Sequence, residues 1–147
     1  MSTRPLPLSR DLFPVVRAIP TRWMDVDVYG HVNNVEYLSY FDTAVNGWLM
    51  EQGVLDPRRS ETVFLVVETQ CAYFSEIVFP DTVHAGVRAV RLGGSSVTYE
   101  IALFRGDATS ASAQGRFVHV QVDAATRKPT PIEGARRTLL ESILLKS

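Results

Sequence analysis

Asn34 to Gly53, N-V-E-Y-L-S-Y-F-D-T-A-V-N-G-W-L-M-E-Q-G, is the stretch on which the fold turns. Val35, Leu38, Phe41, Val45, Trp48 and Leu49 recur at steps of three and four, the spacing of one apolar face on an amphipathic helix. Asn33 or Asn34 can cap its start, Glu36 stands three residues after Asn33 as in a capping box, and Gly53 follows the last periodic residue as a stop. A helix of about 17 residues is a rod of roughly 25 Å, long enough to lie across a sheet of about five strands. Its apolar side therefore expects something flat.

Outward from that helix the period changes. Val15 to Trp23 is short and partly alternating, with Pro20 marking an edge or an early end. Thr62 to Phe79, Thr82 to Leu92, Val97 to Phe104 and Ala111 to Val122 are rich in Val, Phe and Tyr with period two, so they read as four consecutive hairpin-like strands. Pro80-Asp81, Gly93-Gly94 and Gly106-Asp107 punctuate them, and the last two are short enough for hairpins in a meander. Gly134 to Leu145 returns to helical spacing through Ala135, Leu139, Ile143 and Leu144. Residues 1–12, with Pro5 and Pro7 among polar neighbours, read as a tail or a lead-in strand. The expectation is an α+β fold over 1–147 as one domain, an antiparallel sheet laid on one long helix, with edge strands that a second copy would cover in a homodimer or homotetramer.

The composition narrows the function. Fifteen Lys and Arg against sixteen Asp and Glu give a net charge of −1, so nucleic acid is not an expected partner. One cysteine, Cys71, forbids an intrachain disulfide; it lies in an apolar strand and reads as core. With no secretory segment and no apolar run of about 18 residues, the chain reads as cytoplasmic, with no membrane partner.

The densest polar cluster runs from Arg22 to Asn34, R-W-M-D-V-D-V-Y-G-H-V-N-N, between the first strand and the long helix. Asp25 and Asp27 point the same way if the chain is extended there. The helix start beside them offers unpaired N–H groups with a partial positive charge. A carbonyl directed at those N–H groups would be polarised, and a neighbouring carboxylate could deliver water or attack it. The same residues are also ordinary turn formers and caps. Carboxylate, carboxylate and imidazole (Asp25, Asp27, His31) make a metal site a further, weaker alternative, since no second ligand cluster accompanies them. Serine hydrolase, NTPase and dinucleotide-binding motifs do not occur. His84 and His119 fall on strand patterns away from the cluster and read as structural.

Residues 25–38, D-V-D-V-Y-G-H-V-N-N-V-E-Y-L, preceded by Arg22 and Trp23, resemble the signature of hotdog-fold acyl thioesterases, the 4-hydroxybenzoyl-CoA thioesterase-like branch and the related plant acyl-ACP thioesterases. The resemblance implies a hotdog domain that hydrolyses acyl-CoA, without a cofactor. It implies that Asp27 is the catalytic carboxylate, general base or nucleophile, and that the backbone N–H at Asn34 holds the thioester oxygen. His31 matches a family histidine that could orient water or Asp27. Asp25 would brace the loop through Arg22. Tyr29 stands where the plant enzymes carry an asparagine that holds the aspartate; it and Asn33, also the helix cap, are assigned to substrate contact. In place of the basic run with which some relatives grip CoA phosphates, this chain reads R-L-G-G-S-S, which leaves Arg91 with Arg88, Ser95 and Ser96 as the candidate grip. A non-catalytic acyl-CoA sensor and an acyl-ACP rather than acyl-CoA hydrolase are the alternatives.

Overall fold

In a computed structural model, which describes residues 5–146, the long helix α1 is Asn34–Glu51. The strands are β1 (Val15–Pro20), β2 (Thr62–Tyr73), β3 (Thr82–Leu92), β4 (Ser96–Arg105) and β5 (Ala113–Asp123), and a short helix α2 (Gly134–Ser142) ends the order. The strands form one antiparallel sheet in the order β1-β3-β4-β5-β2. The sheet departs from the sequence reading at β2. The strand expected to reach Phe79 stops at Tyr73, and β2 does not pair with β3; the link between them returns across the sheet, so the hairpin run starts at β3. The first strand ends at Pro20 and lies at an edge of the sheet, as a proline without an N–H leads one to expect.

The cap of α1 is Asn33, whose side chain accepts from the Val35 N–H at 3.2 Å. Gly53, at φ 75°, takes the left-handed backbone that follows the helix end. The buried stripe is Tyr37, Tyr40, Phe41, Ala44, Val45, Trp48 and Leu49. Val35 and Leu38, expected on that stripe, are 64% and 40% exposed. Residues 37, 40, 44 and 48 share a face that Val35 and Leu38 only flank, and the tyrosines bury their rings while keeping a polar tip. The stripe packs on the inner-face residues of β3 and β4, among them Ala85, Val87, Ala89, Val97, Tyr99 and Ile101.

Of the stretch expected to be a tail, residues 1–4 lie outside the described residues, and residues 6–12 are tied to the sheet. Gln114 grips the strap from Leu6 to Leu8: its Oε1 accepts from the Leu8 N–H at 2.7 Å and its Nε2 donates to the Leu6 carbonyl at 2.9 Å. Phe13 then packs with Phe104, Ala102 and Ala111 in a small second core on the outer face of the sheet. It lies directly over Gly86, where a Cβ would come within 2.6 Å of its ring.

Candidate active site

The loop from Arg22 to Asn33 carries the two aspartates to different places. A 3-10 turn at Trp23–Asp25 breaks the extended path on which they would point together. Asp25 is fully buried and accepts from the Arg22 N–H (2.8 Å), from Arg22 Nε (3.0 Å) and from the Tyr40 hydroxyl (2.8 Å). Burial pushes its pKa up, but these hydrogen bonds outweigh it and hold the carboxyl below its ordinary range; burial and the same bond push Tyr40 upward. The Asp25 carbonyl accepts from the Asn33 N–H at 2.8 Å, so this residue ties the loop to the helix start.

Asp27 is half-buried and faces a cavity. Its Oδ1 accepts from two backbone N–H groups, Tyr29 at 2.9 Å and His31 at 3.3 Å. The main chain therefore provides the support that a side-chain amide at position 29 would give, while the Tyr29 ring is 80% exposed. The loop closes on itself through Asp27 N–H to the His31 carbonyl (2.8 Å) and Gly30 N–H to the Asp27 carbonyl (3.0 Å).

Asp27, His31, Val32, Asn34, Tyr37, Tyr73, Phe74, Ser75 and Glu76 line a cavity of about 480 Å³. With Asn33 bonded to Val35 by its side chain and to Glu36 by its carbonyl, the Asn34 N–H meets no acceptor among the described residues. It is the first N–H of an 18-residue helix, where the partial charge is positive. Tyr73, pushed up to about 12 by burial and its neighbours, donates from its hydroxyl to the Asn34 carbonyl at 3.2 Å. His31 turns toward Glu76, with Nε2 to Oε2 at 3.0 Å. Sequence reading missed Glu76: it lies beyond β2, and only the bridge of His31 with Val78 brings it in.

The structure thus brings Asp27, His31 and Asn34 together, with Tyr29 and Asn33 on the same loop. It does not bring Arg88, Arg91, Ser95 and Ser96 to them within one chain. Arg91, Ser95 and Ser96 sit at the β3–β4 hairpin, at the opposite end of the sheet from Tyr73 and the loop, roughly 25 Å away. The Arg88 guanidinium is committed to Glu100, at 2.5–2.9 Å on the outer face, and backs onto the Phe13 ring. No group of three or more His, Cys, Asp or Glu among the described residues could hold a metal ion, and Asp25, buried against Tyr40, is turned away from the cavity.

Residues 21–140 match the model of a thioesterase-like superfamily. The chain belongs to that superfamily. The PA5185 protein of Pseudomonas aeruginosa strain PAO1 is similar to it over 95% of this chain and 97% of that one, with 46% identity and a TM-score of 0.91. A thioesterase from Thermus thermophilus, crystallised with coenzyme A and zinc, shares 31% identity over 89% of this chain and 95% of that one, TM-score 0.72. The fold, though not the residues, is shared with a 1,4-dihydroxy-2-naphthoyl-CoA thioesterase from Synechocystis at 14% identity, covering 87% and 96% of the two chains with a TM-score of 0.78. The superfamily's hotdog arrangement is what the sheet, the long helix and the loop between them form here.

Proposed function

We propose that this superfamily member hydrolyses acyl-CoA thioesters, with Asp27 as the reacting carboxylate and the Asn34 N–H as the oxyanion donor. The observation that carries the reading is the pairing of the two on one cavity: a carboxylate fixed by two backbone N–H groups, beside a helix N–H with no acceptor among the described residues. As attack on the thioester carbon pushes the carbonyl electron pair onto oxygen, an oxygen placed at that N–H has its negative charge stabilised in the tetrahedral intermediate. Asp27 either removes a proton from water or attacks the carbon to form an anhydride that water opens. His31, steadied by Glu76, stands where a proton can be passed to the leaving thiolate. CoA as carrier is supported by the coenzyme A bound to the Thermus thermophilus relative.

The assembly expected is a pair of chains joined through β2. That strand is at the sheet edge, with Leu65, Val66 and Val67 exposed at 38%, 45% and 59%. An antiparallel pairing of two β2 strands would turn the hairpin end of one copy toward the Asp27 end of the other. It is in that arrangement that Arg91, Ser95 and Ser96 would meet CoA phosphates. Among the described residues no helix is long and apolar enough to cross a membrane, and the lone thiol Cys71 suits the reducing cytoplasm. The test is release of free thiol from a panel of short, long, branched and aromatic acyl-CoA esters. Turnover that vanishes in Asp27→Asn sustains the reading, and turnover unchanged in that variant removes Asp27 from the mechanism.

A further inference from the structure

Asp27 borders a second cavity. The first, at the helix start, has polar walls in His31, Asn34, Ser75 and Glu76. The second, of about 470 Å³, is lined by Trp23, Val26, Val28 and Gly30 together with Asp27, and Asp27 is the residue that the two share. The loop accounts for this. Val26 bridges to Val32 and the Asp27 N–H bonds to the His31 carbonyl, so residues 26–32 form a small hairpin with Asp27 on the strand leading into its turn. Apart from the Asp27 carboxylate, the side chains of the second cavity are apolar.

Those side chains stand in water. Trp23 is 75% exposed and Val28 93%. The indole meets the exposed Phe79 ring edge-on, with centroids 5.6 Å apart, so the two rings make one continuous apolar wall. Apolar surface gathered in a patch, unlike single scattered side chains, marks a surface that something covers. What covers it follows from the shared residue. A thioester carbon held between Asp27 and the Asn34 N–H carries, besides its oxygen, a thiol arm and an acyl group, and two cavities meet at Asp27. The amide-bearing thiol arm suits the polar cavity, where His31 can protonate the leaving thiolate, and a hydrocarbon suits the apolar one.

We propose that the cavity walled by Trp23 and Val28 is the acyl subsite, and that it takes a saturated chain without polar substituents, the first carbons beside Val26 and Val28 and the later ones along the indole. This rests on the hydrolase reading, and names the class of acyl group that reading leaves open. The wall strips water from one side of the chain. Each added methylene should therefore raise kcat/KM about twofold, against about fourfold for a methylene buried on all sides.

The experiment has a kinetic and a binding arm. In the first, kcat/KM for butanoyl-, hexanoyl- and octanoyl-CoA should rise about tenfold or more along the series in the wild type, and about threefold or less in Trp23→Ser. No rise in the wild type, or the same rise in the variant, overturns the proposal. Val28→Ser provides the same readout if Trp23→Ser does not fold. The second arm uses S-octyl-CoA, a thioether that cannot be hydrolysed, and reads tryptophan emission. Of the two tryptophans Trp48 is buried, so a shift to shorter wavelength on binding reports Trp23. The shift should be absent with CoA alone and lost in Trp23→Ser. Emission unmoved by the thioether, as when a second copy already covers the indole, sinks the proposal. If the wild type cleaves none of the esters, the hydrolase reading fails and the thioether arm alone judges the subsite.

Discussion

Asp25 and Asp27 are two residues apart, and their carboxyl groups are held by opposite means. Asp25 is sealed inside, with Arg22 and the Tyr40 hydroxyl bonded to it; Asp27 is held only from behind, by main-chain N–H groups, and faces a cavity. Asp25→Asn should therefore lower stability by about 2 kcal/mol, since it weakens charge-assisted bonds at a buried position, and should show as a shifted denaturant midpoint. Asp27→Asn should leave that midpoint within about 0.5 kcal/mol while hydrolysis falls by at least ~100-fold. Equal losses of stability in the two variants would contradict this division. His119 supplies a pH test. Burial pushes it down to about 4, against 6.5 for an unburied histidine, so below the upper value the unfolded chain takes up a proton that the folded chain refuses. Stability should thus be full above pH 6.5 and fall by about 3 kcal/mol by pH 4, a slope that His119→Gln flattens. Equilibrium unfolding at a series of pH values reads it directly.

At the scale of elements, what the sequence made legible was whatever depends on local period. The start and stop of α1 at Asn33 and Gly53, the paired strands around Gly93-Gly94 and Gly106-Asp107, and the placing of Asp27 and Asn34 beside one another all follow from short-range signals. Contacts between distant segments were not legible. Glu76 reaches His31 only because the link after β2 folds back under the loop, and the strap through Phe13 is apolar in too few places to announce itself. Yet Gly86 holds a trace of that strap: a glycine inside a strand marks a close approach, here of the Phe13 ring. Gly86→Ala should accordingly dislodge the strap and cost ~1–3 kcal/mol, because a Cβ within 2.6 Å of the ring forces it to lift off the sheet. Gly47→Ala on α1 should do the reverse. Its added methyl would meet only the tip of the Arg17 side chain, at 3.1 Å, and the helix gains roughly 0.5–1 kcal/mol on losing a glycine. Thermal melts of the two single variants should move in opposite directions.

For the whole molecule the governing fact is asymmetry of cover. β1 and β2 are the two edges of the sheet; the strap crosses the outer face at Gln114 and Gly86, and β2, which pairs only with β5 among the described residues, exposes Leu65, Val66 and Val67 at its middle. The β2–β5 register also shifts between Val66 and Glu68, which leaves Val67 as the extra residue of a bulge, outside the ladder. An apolar edge without lysine or proline is the kind of strand that a second strand completes, and the bulge at Val67 is the interruption such a pairing has to accommodate. The proposed pairing would have a functional consequence, because Tyr73 and Phe74, which line the cavity at Asp27, stand at the end of this same strand. A charge at the middle of the edge should therefore separate the copies and open the cavity together. Val67→Lys is expected to shift the chain from paired to single in sedimentation, with the far-ultraviolet circular dichroism unchanged and thiol release reduced at least ~10-fold. Activity that survives in a single-chain species would show that one protomer completes its own site, and would detach the placement of Arg91, Ser95 and Ser96 from the catalytic reading.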